Sequence, residues 1–132
     1  TNGSNPAMLK ELLAAKLLDH IAMDIKTAPA KYDIVTGVQP ELEKLTASIG
    51  IILRSGLPYE FRSTLVPGLI GPEDIPGIGD LIKGAEIWYL QKFKNDTPLL
   101  NSSFTKIGAY SNKEMEKMRK MGEKYVKQCL IR

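Results

Sequence analysis

The stretch Ile21-Ala22-Met23-Asp24-Ile25-Lys26 decides how the rest of this chain is read. Side chains alternate across a strand, so Ile21, Met23 and Ile25 share one face, and Ala22, Asp24 and Lys26 share the other. A strand that buries aliphatics on one side and ends with a carboxylate and an ammonium on the other fits a stave of a barrel, a fold whose C-terminal rim holds its site. Tyr59-Glu60-Phe61-Arg62-Ser63-Thr64-Leu65 repeats the division, with Glu60, Arg62 and Thr64 on the face opposite the aromatic and aliphatic residues. Two such polar faces can converge on one hollow.

Helical signals fill the intervals between these strands. Asn5 before Pro6 is a capping start, and Leu9, Leu12, Leu13 and Leu17 follow at helical spacing. The first strand is expected from about Asp19 to Lys26, then a polar loop through Lys31-Tyr32-Asp33 and Thr36-Gly37. A second helix is expected from Pro40, with Leu42, Leu45, Ile49 and Ile52 as its stripe and Ser55-Gly56 as its stop. The second strand, Tyr59 to Val66, ends at the turn signal Pro67-Gly68. Between Glu73 and Lys83, Pro76, Gly77 and Gly79 predict a short or irregular helix. A third strand, Glu86 to Phe93, sets Trp88 and Leu90 against Ile87, Tyr89, Gln91 and Phe93, and a polar loop from Lys94 to Tyr110 follows. Ser111 and Glu114 have capping-box spacing, and Met115, Met118, Gly122, Tyr125 and Cys129 are expected along one face of the last helix.

Strands alternating with helices pair in parallel through right-handed crossovers. The fold class is therefore α/β, with three parallel strand-helix units. A closed eight-stranded barrel takes roughly 250 residues, and this chain has 132. It reads as the C-terminal half of a partial TIM-type barrel. The opening Thr1-Asn2-Gly3, without an initiator Met, fits a start inside a longer protein.

Composition narrows the function classes. With 43% hydrophobic and 25% charged residues, the chain has an ordinary globular balance. A net charge of +3 without a concentrated basic patch makes nucleic acid an unexpected partner. Cys129 is the single cysteine, which fits a reducing compartment and supplies neither a disulfide nor a metal cluster set. No apolar run reaches membrane-span length and no secretory signal is visible, so a cytoplasmic protein without a membrane partner is expected.

Residue chemistry alone leaves several assignments open. Asp24 and Lys26 suit either a rim ion pair, worth about 0 to 1 kcal/mol if exposed, or a ligand contact. Arg62 suits a structural pairing with Glu60 or Asp24 inside the barrel, or a cofactor contact. Lys26 as a Schiff-base nucleophile needs desolvation, and an adjacent Asp24 opposes that by favouring the charged amine. His20, the only histidine, is expected as a packing or hydrogen-bonding residue and Cys129 as a buried small hydrophobe. Lys113, Lys117, Lys120, Lys124 and Lys127 read as a solvated face.

A resemblance adds to this. Thr1-Asn2-Gly3, Tyr32, Thr36-Gly37-Val38, Ala22-Met23-Asp24-Ile25-Lys26, Tyr59 through Gly68 and Tyr89-Leu90-Gln91-Lys92-Phe93 together resemble radical S-adenosylmethionine enzymes. They are most similar to the glycyl-radical-enzyme activases of anaerobic ribonucleoside-triphosphate reductase and pyruvate formate-lyase. The resemblance covers nearly all of residues 1–132, from the end of the family's third strand through its sixth strand and last helix. It implies a parent that holds a 4Fe-4S cluster on a C-x-x-x-C-x-x-C motif and uses S-adenosylmethionine to generate a glycyl radical on a partner enzyme. That motif and the glycine-rich segment after the second family strand are absent, so the chain alone is expected to lack the cluster and to be inactive. The resemblance implies cofactor contacts for Asp24 and Lys26 and a carboxylate contact for Arg62, and places Thr1 and Asn2 at the same cavity. Pyruvate formate-lyase activases carry a His after the sixth strand where this chain has Phe93, which favours the reductase-activating branch.

Two other readings stand beside this one: a barrel fragment of a lyase or aldolase using Lys26, and a non-catalytic interaction domain. Self-association is also expected, since an open parallel sheet leaves edges and one face uncovered.

Overall fold

Every strand segment named above is followed by an element that returns the chain in the same direction, and the result in the computed structural model is a single parallel sheet. The structure describes residues 1–37, 41–94 and 108–132; Val38, Pro40 and positions 95–107 of the polar loop lie outside them. The strands are β1 (Ile21–Asp24), β2 (Tyr59–Leu65), β3 (Ile87–Lys92) and β4 (Gln128–Ile131), hydrogen-bonded in chain order. Helix α1 (Pro6–Ala14) precedes β1, α2 (Tyr32–Thr36) and α3 (Leu42–Leu53) follow it, α4 (Ile75–Leu81) follows β2, and α5 (Asn112–Gly122) follows β3. Short 3-10 turns at Pro29–Lys31 and Pro72–Asp74 lead into α2 and α4.

The α/β parallel reading is borne out, with one strand more than expected. The last helix stops at Gly122, and Cys129 belongs to β4 rather than to that helix. Five residues of chain turn between them, and β4 has only four, too few for its alternation to stand out beside a strong helical stripe. The expected polar loop after β1 contains α2, and α1 ends before Leu17, which is 67% exposed. Lys16, at φ 54, carries the chain away from the helical path there.

Side-chain caps open α1 and α5. Asn5 Oδ1 accepts the Met8 N–H at 3.0 Å, and Ser111 and Glu114 form the reciprocal capping box. The short α4 carries Pro76, Gly77 and Gly79, as their low helix propensity predicts.

The core lies on one face of the sheet. Met23, Phe61, Trp88 and Cys129 form a buried row across all four strands. Leu45, Ile49, Ile52, Ile75, Ile78, Met115 and Met118 of the helices pack into the same cluster. Ser63, also on this face, is 1% exposed and satisfied: its hydroxyl donates to Ile25 C=O at 2.8 Å and accepts from Trp88 Nε1 at 3.1 Å. Burial pushes the Cys129 thiol up to about 12, so it is a packing group rather than a reactive one. His20, expected as a packing or hydrogen-bonding residue, is exposed and so does not pack in the core.

Helix α5 approaches the sheet through Gly122. A Cβ there would stand 2.6 Å from Cys129 Sγ and 3.0 Å from the Trp88 ring. Gly122→Ala is therefore expected to destabilise the fold by about 1–3 kcal/mol through overpacking, read as a lower urea midpoint with an unchanged slope.

Candidate functional site

The face of the sheet opposite the helices carries the polar residues. Register pairs Ala22 with Glu60 and Ile87 with Gln128, and sets Asp24, Arg62, Tyr89 and Leu130 in one row. Asp24 and Arg62 are direct register partners in parallel strands and so share a face. Both line an open hollow of about 180 Å³, together with Ile25, Lys26, Val35, Thr64, Val66, Leu69 and Ile70. The hollow sits at the C-terminal ends of β1 and β2, where parallel α/β folds place their ligands. Complete ligand pockets run roughly 300–1,000 Å³. The hollow is smaller than that range.

Asp24 and Lys26 form an ion pair at 2.8 Å, with side chains 43% and 47% exposed. At that exposure the pair is worth about 0–1 kcal/mol, so the fold does not depend on it. Lys26 lacks the desolvated setting that an amine nucleophile needs, and nothing around it favours the lyase reading. The end of β1 is held from below by Tyr32, a buried residue whose hydroxyl accepts the Lys26 N–H at 3.1 Å. Thr1 lies alongside β1: its carbonyl accepts the Asp24 N–H at 3.0 Å, and its amino group donates to Ala22 C=O at 2.8 Å. Asn2 Oδ1 accepts the Ser4 N–H at 3.0 Å. Thr1 and Asn2 adjoin Asp24 without lining the hollow.

Arg62 takes its partner from its own strand. Its Nε donates to Glu60 Oε1 at 2.5 Å. The same carboxylate oxygen accepts from Arg132 Nη1 at 3.1 Å, and the Arg132 guanidinium stacks on Tyr89 at 3.8 Å from the ring centre. Glu60 is 8% exposed. Burial pushes its carboxyl up, but the guanidiniums of Arg62 and Arg132 outweigh that, and the net effect holds it below the ordinary value of 4.5.

A second cluster ties the rim. Lys31, after β1, donates to Asp74 at 2.9 Å and to Glu73 at 3.2 Å, both after β2. Asp74, 2% exposed, also accepts the Gly71 N–H at 2.9 Å. Tyr110, from the loop after β3, donates to Ile70 C=O at 3.3 Å. Sequence reasoning missed this cluster and the Glu60–Arg132 contact. The Gly71 to Asp74 spacing was a usable signal for the first; the second required β4.

Three comparisons place this geometry among known proteins. No family model matches the chain. A Methanocaldococcus jannaschii protein provisionally described as a glycyl-radical enzyme activating enzyme is 27% identical over 136 aligned positions, a match covering 100% of this chain and 56% of that protein. The chain thus spans about half the length of the curated relative it matches. A crystallised domain of a pyruvate-formate lyase-activating enzyme from Bacteroides vulgatus ATCC 8482 superposes with a TM-score of 0.64 at 16% identity, covering 93% of this chain and 74% of that one. This second likeness is one of fold. The resemblance drawn from the motifs is borne out by the first likeness, and the fold it implies by the second.

The Glu60 cluster carries a pH signature. Because the folded-state pKa of Glu60 lies below its unfolded value, its stabilisation is fully present above about pH 4.5 and is lost as pH falls through the folded pKa. The stability gap between wild type and Glu60→Gln is expected to be widest near neutrality and to shrink below pH 4.5, as measured by urea unfolding across pH.

Proposed function

We propose that this chain is the C-terminal half of the partial barrel of a radical S-adenosylmethionine activating enzyme, whose intact parent generates a glycyl radical on a partner enzyme. The observation that carries this reading is the shared face of Asp24 and Arg62 at the mouth of β1 and β2, in a chain similar over its whole length to an activating enzyme. The segment supplies one wall of the cofactor cavity. Asp24 and Lys26 contact the polar end or ribose of S-adenosylmethionine, Arg62 takes its carboxylate, and Thr1 and Asn2 border the same space. The partner's glycine-bearing loop approaches the same open face.

The residues suit one cofactor and not the other. The polar row fits S-adenosylmethionine, which supplies one-electron hydrogen-abstraction chemistry when reduced at an iron–sulfur cluster. A 4Fe-4S cluster needs several thiolates, and the chain has one cysteine, buried on the helix-covered face. The chain holds no cluster of its own, and this segment's work is to bind, to orient and to limit water. Arg62 suits a carboxylate because its Nε is already engaged by Glu60, which leaves the planar Nη edge for a second acceptor. An anaerobic, cytoplasmic setting fits such chemistry; no helix among the described residues is long and apolar enough to cross a membrane.

Titration of the chain with S-adenosylmethionine, followed by amide NMR, is expected to shift Asp24, Lys26 and Arg62 saturably. Arg62→Lys should weaken binding about tenfold, as expected for losing a charge-assisted bidentate contact. Absence of any shift at millimolar ligand sinks the reading, and a borohydride-trapped carbonyl adduct at Lys26 replaces it with the lyase.

Self-association of the chain belongs to the same proposal. The β4 edge exposes Leu130 and Ile131, at 37% and 40%, beside backbone groups with no further strand among the described residues. Sedimentation at micromolar concentration is expected to show a species heavier than the monomer.

A further inference from the structure

Resting on the proposal that Arg62 receives the ligand carboxylate, we infer that Glu60 is a positioning residue. It fixes the Arg62 guanidinium by its Nε and draws Arg132, the residue that follows β4, into the same site. Three observations carry this.

The first is the division of labour on Arg62. Its Nε is spent on Glu60 at 2.5 Å, while its two Nη groups make no hydrogen bond to any described residue, and the side chain lines the hollow. A guanidinium offers five N–H donors in a fixed planar fork. Engaging Nε from one side sets the plane and leaves the outer edge for a carboxylate.

The second is burial. Glu60 is 8% exposed on a face that the described helices leave bare, with Ala22 as its register partner. A surface-facing glutamate with no task would extend into water. This one is held down between two cations, and one carboxylate for two guanidiniums leaves the pair with a net positive charge.

The third is Arg132. It is anchored twice, by Glu60 at 3.1 Å and by the Tyr89 ring at 3.8 Å, and Tyr89 is the register partner of Arg62. Asp24, Arg62 and Tyr89 thus form a continuous row with Arg132 stacked at its far end. The terminal strand, remote in sequence from the hollow, helps set how Arg62 is presented.

The test compares two ligands, S-adenosylmethionine and its decarboxylated analogue, on wild type, Arg62→Lys, Glu60→Gln and the double variant. Wild type is expected to prefer the carboxylate-bearing ligand. Glu60→Gln should weaken that ligand about tenfold and leave the analogue within about twofold, the pattern Arg62→Lys also gives. The double variant should be no worse than Arg62→Lys alone, since Glu60 acts through Arg62. A Glu60→Gln protein that loses both ligands equally, or whose effect adds to that of Arg62→Lys, overturns the inference and leaves the cofactor reading standing. Equal binding of the two ligands by wild type overturns the carboxylate role of Arg62 and this inference with it. Glu60→Asp retains the charge and shortens the reach, and carries the same comparison if the amide variant does not fold.

Discussion

A parallel sheet whose strands run in chain order returns each strand through a crossover of strongly preferred right hand, and that constraint shapes everything else in this molecule. Every connection then passes over the same side. One face receives all the helices and the whole core, along the Met23–Phe61–Trp88–Cys129 row. The other receives none of the described helices. The bare face is free to carry Asp24, Glu60, Arg62 and Tyr89 because no hydrophobic layer has to be packed against it.

A bare polar face still has to be organised, and the chain does so with charges that satisfy one another. Glu60 draws Arg62 of its own strand and the sequence-distant Arg132, just past β4, onto one oxygen. Lys31 and Asp74 bind the loop after β1 to the loop after β2. The two clusters differ in purpose. Asp74 is buried and doubly bonded, an element of the rim's architecture; Arg62 keeps one edge of its guanidinium open toward the hollow.

Much of this was legible from residue order. The alternation in Ile21–Lys26 and Tyr59–Leu65 separated core from polar face correctly, and register confirmed that Asp24 and Arg62 belong together. Caps at Asn5 and Ser111 were visible because their chemistry is local. What escaped was non-local. Four residues of β4 look like the tail of an amphipathic helix until the sheet supplies a neighbour for them, and with β4 unseen, Arg132 had no position. Glu60 was visible as a candidate partner for Arg62, yet its second cation could not be known. His20 and Leu17 were misjudged because parity and stripe were extended past the ends of their elements.

The two margins of the sheet are unequal. Along β1, the backbone of Thr1 already occupies the outer hydrogen-bonding groups of Ala22 and Asp24, and Gly3, at φ +78, tucks against Met23 where any side chain would collide with that methionine. Along β4 no described segment does the same. The outer peptide groups of β1 therefore meet neighbouring backbone, whereas those of β4 meet no described strand, so the two margins expose very different amounts of hydrogen-bonding backbone.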